Sequence, residues 1–363
     1  MNKKRLLFIL DHAYGGGAEI ITISLATALS HDHHVGLIIL DRSKLNVNIP
    51  NSITEITVEN NSNFINSNFW RMKNFSDEYK QEIQSKIDDF HADLVVISFW
   101  NSLHLSKFLN HPNVYYWIHG DIFYQPPSPS FKYILRDFLR KIRQPFFFKA
   151  LLNGHNIIVV NKDLNNKISK ICSESKVITL YNGIQQRSIN EQKNIIWDAI
   201  YVGRLSSEKQ VHHAIQAFAQ SHLTGRMAIV GDGYLKADLL RLTHDLNLQD
   251  RVHFLGWLES DQVAHHIHSS RLLILSSQTE GYPLVISEAI LLDTPVVAYK
   301  CCEGICQQLS NQLASGLVPP QNIKALAQTI NHISESSYKI TEKDKKNLSL
   351  DTMKNQFKKL TGI

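Results

Sequence analysis

The chain has 363 residues, of which 43% are hydrophobic and 20% charged, with a formal net charge of +5. That balance belongs to a folded globular protein of about two domains and excludes a disordered or collagen-like chain. The positive excess is too small to argue for a nucleic-acid partner. Four cysteines, Cys172, Cys301, Cys302 and Cys306, contain no C-x-x-C pair, so neither a disulfide framework nor a zinc site is expected.

The opening segment, "MNKKRLLFILDH", has an apolar run only from Leu6 to Leu10 before Asp11 and His12 interrupt it. A signal peptide needs about 7–15 apolar residues there, and no stretch approaches the roughly 18 of a membrane span. The expected location is cytoplasmic. "RLLFIL" reads as a buried strand, a run of glycines follows, and "AEIITISLATAL" reads as a helix. "VGLIIL", "DLVVIS", "VYYWIH" and "NIIVV" are further strand candidates. Short continuous Val/Ile-rich runs fit strands covered on both faces of a parallel sheet. The polar "YNGIQQRSINEQKN" reads as a linker, after which "DAIYVG", "RMAIVG", "RVHFLG", "RLLILSS" and "TPVVAY" repeat the pattern. The fold class expected is therefore α/β, with two Rossmann-like domains over residues 1–184 and 185–345. "ITEKDKKNLSLDTMKNQFKKLTGI" reads as a charged surface helix, and its part from 346 to 363 is expected to pack back toward the N-terminal domain.

Ligands of parallel sheets sit beyond the carboxyl ends of the strands, and four stretches fall there. "YGGGAE", Tyr14–Glu19, joins the first strand to its helix, where Gly16 and Gly17 let backbone N–H groups approach an anion. A dinucleotide fingerprint would also fall here, and Asp41 ends the next strand as its ribose-binding acid would. Ile20 occupies the third glycine position, however, and a purely structural turn is the other reading. "GRLSSEK" places Gly203, Arg204 and Lys209 after a strand, two cations suited to a diphosphate; the alternative is a solvated loop with Arg204 paired to Glu208. "EGYPLVISE", Glu280–Glu288, puts Gly281, Tyr282 and Pro283 at a helix start. Its free N–H groups would face an anion, and Glu288 could accept hydrogen bonds from neighbouring sugar hydroxyls or be an ordinary surface acid. "YYWIHGD" sets His119 after a strand, a candidate for the reacting centre or a packed structural residue.

The order of these stretches resembles family 4 of the glycosyltransferases with the GT-B fold. Its most specific marks here are the two acids Glu280 and Glu288 separated by seven residues and the G-R-x-x-x-E-K run at 203–209. "NGI" at Asn182–Ile184 and "VGDG" at Val230–Gly233 match the family's domain junction and a following loop. The family includes retaining enzymes that build bacterial lipopolysaccharide, capsule and glycolipids.

The resemblance implies two Rossmann-like domains whose sheets face a central cleft, a nucleotide-diphosphate sugar donor with UDP favoured over GDP-mannose, and a cell-envelope glycan or glycolipid acceptor. It implies that Glu280 faces the donor sugar and that the backbone of Gly281, Tyr282, Pro283, Leu284 and Val285 holds sugar hydroxyls and phosphate. Glu288 would grip the ribose, Arg204 and Lys209 the diphosphate, and Gly16 and Gly17 the diphosphate and acceptor side. His119 would lie near the sugar being transferred. No cofactor or metal is expected, because no Asp-x-Asp pair lies near the phosphate stretch. The clusters His31/His33/His34, His212/His213 and His265/His266/His268 read as packing or surface residues. "AYKCCEGICQQL" departs from the family's glycine-rich turn. Competing readings are a nucleotide-sugar epimerase, a nicotinamide dehydrogenase and a catalytically silent sugar-binding partner.

One more segment bears on the acceptor. In "FKYILRDFLRKIRQPFFFK", 131–149, apolar residues recur at helical spacing while Lys132, Arg136, Arg140 and Arg143 follow another face. Such a helix either lies on the inner face of an anionic membrane or packs its apolar stripe in the core.

Overall fold

The structure is a computed structural model that describes residues 3–43, 45–59, 69–70, 72–98, 100–121, 123, 131–187, 189, 192–336 and 338–363, the side chains of 131–137 excepted. It divides into two compact units, Met1–Gly183 with Leu350–Ile363, and Ile184–Ser349.

In the first unit the strands are β1 (Arg5–Leu10), β2 (His34–Ile39), β3 (Thr54–Ile56), β4 (Leu94–Ser98), β5 (Val114–Ile118), β6 (Asn156–Val159) and β7 (Lys176–Thr179). The helices between them are α1 (Gly17–Ser30), α2 (Asp77–Asp89), α3 (Phe131–Leu152) and α4 (Lys162–Ile171). The seven strands are parallel in the order β3-β2-β1-β4-β5-β6-β7. Every residue of β4 and β5 is buried. Such strands are covered on both faces, which is why their sequences run apolar without alternation. Gly36 of β2 is required by packing, since a Cβ there would meet the Phe90 ring at 2.8 Å.

The second unit carries β8 (Ala199–Val202), β9 (Met227–Val230), β10 (Val252–Gly256), β11 (Leu273–Leu275), β12 (Val296–Tyr299) and β13 (Leu317–Val318). Its helices are α5 (Val211–Gln220), α6 (Lys236–Asp245), α7 (Ser260–His268), α8 (Leu284–Leu291), α9 (Glu303–Gln308), α10 (Ile323–Glu335) and α11 (Glu342–Asn347). The parallel order is β10-β9-β8-β11-β12-β13. Both units therefore follow the doubly wound pattern, and the strand order reverses between β1 and β4 and again between β8 and β11.

The C-terminal segment is two helices, not the one charged surface helix expected from sequence. α11 ends before Leu348, and α12 (Leu350–Thr361) belongs to the first unit. α12 is amphipathic: Met353 and Phe357 are buried, Phe357 lies 6.4 Å from the Phe8 ring, and Lys354 and Lys358 pair with Asp32. Pro145 lies inside α3 without ending it.

Candidate active site

In an open parallel sheet the loops at the order reversal diverge to opposite faces and leave a crevice. In the second unit those loops follow β8 and β11. The loop after β8 carries Gly203–Lys209, and the loop after β11 carries Ser276–Glu280. They meet in an ion pair: Lys209 Nζ lies 2.6 Å from Glu280 Oε1, with side chains only 18% and 10% exposed. The Ser277 hydroxyl donates to the same oxygen at 2.7 Å. Ser276 donates to the Gln210 carbonyl at 2.9 Å and ties the two loops together. Low exposure strengthens the pair, and a second donor stops the carboxylate from drifting.

Arg204 stands apart from this pair. Its side chain is 72% exposed and reaches Glu208 Oε1 at 3.4 Å, the i,i+4 pairing the sequence allowed. Glu208 is also held by the Ser206 hydroxyl at 2.6 Å. Desolvation raises the Glu208 carboxyl, but the Ser206 hydrogen bond and the neighbouring cations outweigh it and hold the group below its ordinary value. An exposed pair of this kind is weak, so Arg204 can turn to an incoming phosphate at small cost.

The Gly203 turn is fixed by close backbone packing. Gly203 N donates to the Val230 carbonyl at 3.0 Å, and Gly231 N to the Gly256 carbonyl at 2.7 Å. Gly231 has φ +125°, and a Cβ on it would lie 2.0 Å from the Gly203 carbonyl oxygen. The Tyr201 hydroxyl donates to the Arg204 carbonyl at 3.1 Å; this buried phenol is raised by desolvation and stays a neutral donor.

Glu280 is followed by the turn into α8. Pro283 is the N-cap, not a first-turn residue, and no side chain caps the helix. The N–H groups of Leu284 and Val285 lie in the first turn, where the helix gives them no internal partner. Two residues that sequence reading missed aim this turn. Gln308 Nε2 donates to the Pro283 carbonyl at 2.9 Å and to the Ser287 hydroxyl at 2.8 Å. Cys302 Sγ donates to the Gly281 carbonyl at 3.5 Å, and a Cβ on Gly304 would meet that carbonyl at 2.4 Å. The "CCEG" run thus has a packing reason: Gly304, the second residue of α9, lets that helix lie against the Gly281 carbonyl. Tyr282 is buried and anchors the turn. Glu288, one turn into α8, is partly buried, and desolvation raises its carboxyl while Arg187 works against that rise.

In the first unit the comparable edge gathers His119, Ser98 and Thr22. His119 Nε2 lies 2.7 Å from the Ser98 hydroxyl and 3.4 Å from that of Thr22, and the Trp117 ring is 4.3 Å from its own. Desolvation lowers the imidazole to about 3, so it is neutral at any physiological pH. A neutral imidazole can exchange hydrogen bonds with a sugar hydroxyl but carries no charge to a phosphate. Gly16 is the N-cap of α1 and Gly17 its first residue.

The remaining candidates lie elsewhere. Arg140 stacks over the Trp70 ring at 4.0 Å, while Arg143 is exposed; the side chains of Lys132 and Arg136 lie outside the described residues. Among the described residues no group of three His, Cys, Asp or Glu side chains is placed to hold a metal ion. The histidine clusters have other partners: His213 Nδ1 meets the Tyr299 hydroxyl at 3.2 Å, and His266 Nδ1 accepts from the Trp197 ring at 3.1 Å.

The profile of the family described as Glycosyltransferase Family 4 matches residues 15–186, and that of Glycosyl transferases group 1 matches residues 183–349. An exopolysaccharide phosphotransferase of Streptomyces coelicolor is 36% identical over 155 residues, 42% of this chain and 16% of that protein. This chain covers 35% and 36% of two other curated relatives, so it spans well under two thirds of their lengths. Among solved structures, Anabaena HepE in complex with UDP and glucose has a TM-score of 0.72 at 20% identity, over 99% of this chain and 100% of that one. The lipopolysaccharide outer core galactosyltransferase WaaB has a TM-score of 0.69 at 15% identity, over 97% and 98%. At these identities the structural likenesses show the fold, and together with the two profiles, which run from residue 15 to residue 349, they establish that the chain belongs to the family 4 glycosyltransferases of the GT-B fold.

Proposed function

We propose that the chain is a retaining transferase that moves a hexose or N-acetylhexosamine from a UDP-sugar to a lipopolysaccharide, capsule or other cell-envelope glycan, without a metal ion. The Lys209–Glu280 pair at the strand-order reversal carries this reading. Cleaving a sugar–phosphate bond builds negative charge on the leaving diphosphate and positive charge on the ring. Lys209 and the open N–H groups of α8 are preorganised for the first, with Arg204 free to turn to the phosphate, and Glu280 for the second. With retention, the acceptor hydroxyl attacks the face the diphosphate leaves. The new C–O bond forms as the C–O bond to phosphate breaks, and a phosphate oxygen takes the hydroxyl proton. The UDP and glucose bound by HepE and the lipopolysaccharide substrate in WaaB's name support the donor and acceptor classes. Release of UDP from UDP-glucose on addition of acceptor, in EDTA, with the product's anomeric configuration read by NMR, tests all three parts. Loss of turnover in EDTA restored by Mn²⁺, or an inverted product, would refute the metal-free retaining scheme.

The same reading places the enzyme at a membrane surface, through α3. Phe138, Leu139, Ile142 and Phe146 are 43–71% exposed on this helix, with exposed Lys141, Arg143 and Lys149 beside them. Apolar side chains of this size left in water beside cations fit an anionic lipid surface. No described helix is long and apolar enough to cross the bilayer. Wild-type protein is expected to sediment with phosphatidylglycerol vesicles, less so at high salt. The triple variant Ile142→Ser, Arg143→Glu, Phe146→Ser should stay in solution, since each basic residue near such a surface contributes about 1 kcal/mol and the apolar anchors more. Wild-type protein that never sediments would make α3 a face for some other partner.

A further inference from the structure

The inward stripe of α3 carries two polar side chains where the rest of it is apolar. Arg140, Gln144, Phe147, Phe148 and Leu151 recur at helical spacing and share one face, away from the exposed Phe138, Ile142 and Phe146. Phe148 and Leu151 enter the core of the first unit. Gln144 is only 3% exposed, and its Nε2 has no hydrogen-bond partner among the described residues. A buried amide donor left unpaired destabilises a fold, and leucine, of similar size, would avoid that cost.

Half-buried aromatic rings surround these two side chains. The Arg140 guanidinium lies over the Trp70 ring at 4.0 Å, and Trp70 lies 5.6 Å from the Phe147 ring. The Phe69 ring joins Phe147, at 5.4 Å, to Trp100, at 5.3 Å. Trp100 follows β4 by two residues, so the cluster reaches the carboxyl edge of the sheet, where ligands of such sheets sit. The same edge carries His119 after β5. It is also a basic place. His104 Nε2 donates to the Phe69 carbonyl at 3.0 Å, and desolvation lowers its imidazole to about 4 against that hydrogen bond. Lys73 and Lys107 lie near enough to add to the fall.

We propose that Arg140 and Gln144 bind an anionic group on the acceptor sugar, a uronic acid carboxylate or a sugar phosphate, with Trp70 and Phe147 as the walls of the site. This deepens the transferase reading and rests on it. A guanidinium stacked by its face keeps its N–H donors in its own plane, the geometry that meets a carboxylate or phosphate with two parallel hydrogen bonds. The Gln144 amide, one helical turn along, adds a further donor. Both groups donate, so the site selects a ligand rich in acceptors. Aromatic walls with a few fixed polar groups are the usual make-up of a small-molecule site. A side chain placed only for packing would not leave a donor unpaired; one kept for binding is held at the fold's expense.

The probes are methyl β-D-glucuronide, glucose 6-phosphate and, as the neutral control, methyl β-D-glucoside. The reporter is the indole N–H resonance of Trp70, assigned by its loss in Trp70→Phe. In wild-type protein one or both anionic probes should shift it saturably, and the glucoside should not. Tighter binding of the glucuronide assigns a uronic acid, and tighter binding of glucose 6-phosphate a sugar phosphate. Arg140→Met and Gln144→Leu should each weaken the anionic probe by about tenfold or more, the loss of a charged hydrogen bond, while leaving the dissociation constant for UDP unchanged. Gln144→Leu should melt no lower than wild type. No saturable shift with either anionic probe, equal affinity for the glucoside, or unchanged affinity in both variants would each overturn the assignment, as would a lower melting temperature for Gln144→Leu. Saturable binding of an anionic probe by a protein that neither binds UDP nor releases it from UDP-glucose would leave the anion site standing and overturn the transferase reading.

Discussion

Lys209→Ala is expected to lower kcat/KM for the nucleotide sugar by about 10- to 150-fold, the equivalent of one charged hydrogen bond of about 1.5–3 kcal/mol. The lysine is the less exposed of the two candidate cations and the one held in place, by Glu280 at 2.6 Å. Removing it takes a charge from the leaving group and frees the carboxylate that the lysine positions. The fold should survive, because Glu280 keeps its hydrogen bond from Ser277. Arg204→Ala should cost less, since that side chain is mostly exposed and pays conformational entropy to reach a phosphate. Steady-state UDP release, with a melting curve to show intact protein, checks both. Near-normal turnover in both variants would remove this pair from the diphosphate site.

Gly231→Ala is expected to destabilise the second unit by about 2–4 kcal/mol, combining backbone strain with a steric clash. Glycine is needed here twice over. The φ of +125° is one that residues with a Cβ rarely adopt, and the added atom would fall 2.0 Å from the Gly203 carbonyl oxygen. That oxygen cannot simply retreat, because Gly203 is hydrogen-bonded to β9 through its own N–H. The melting temperature should fall by roughly 5–15 °C for a unit of this size, and affinity for UDP should fall as well, since the displaced turn carries Arg204. Gly256→Ala is the matched control. Its φ is +71°, but nothing lies within 4 Å of the added atom, so only backbone strain of about 1 kcal/mol is expected. Equal melting temperatures for the two variants would show that the close approach of the two turns is not what fixes the site.

Much of this protein is legible in the order of its residues. A strand covered on both faces can tolerate only apolar side chains, so β1, β4, β5, β6, β9 and β12 announce themselves as unbroken runs. A helix start needs residues that leave N–H groups open, so the stretches at Gly16 and Gly281 stand out locally. The pairing of Arg204 with Glu208 is legible too, because both lie on one short loop at i,i+4 spacing. The strands β3 and β7 are silent in sequence because they lie at the two ends of their sheet's order and are only partly buried, and β13 is two residues long.

What the tertiary structure decided is which charges meet. Lys209 and Glu280 are 71 residues apart, and nothing local to either says that the loops after β8 and β11 converge; the reversal of strand order does. The same holds for Gln308 and Cys302, which orient the Gly281 turn from a segment that the sequence marks only as a departure from the family's glycine-rich turn. Sequence offers the glycines of residues 15–17 as a seat for an anion, because backbone N–H groups at a helix start attract negative charge. Only the folded turn shows that Glu19, three residues beyond Gly16 and one turn along α1, brings its carboxylate back beside that glycine. For α3 the sequence left two fates for one apolar stripe, since periodicity fixes which residues share a face but not what that face meets. The fold leaves Phe138, Ile142 and Phe146 in solvent, while Phe148, Leu151 and Leu152 near the end of the same helix enter the core.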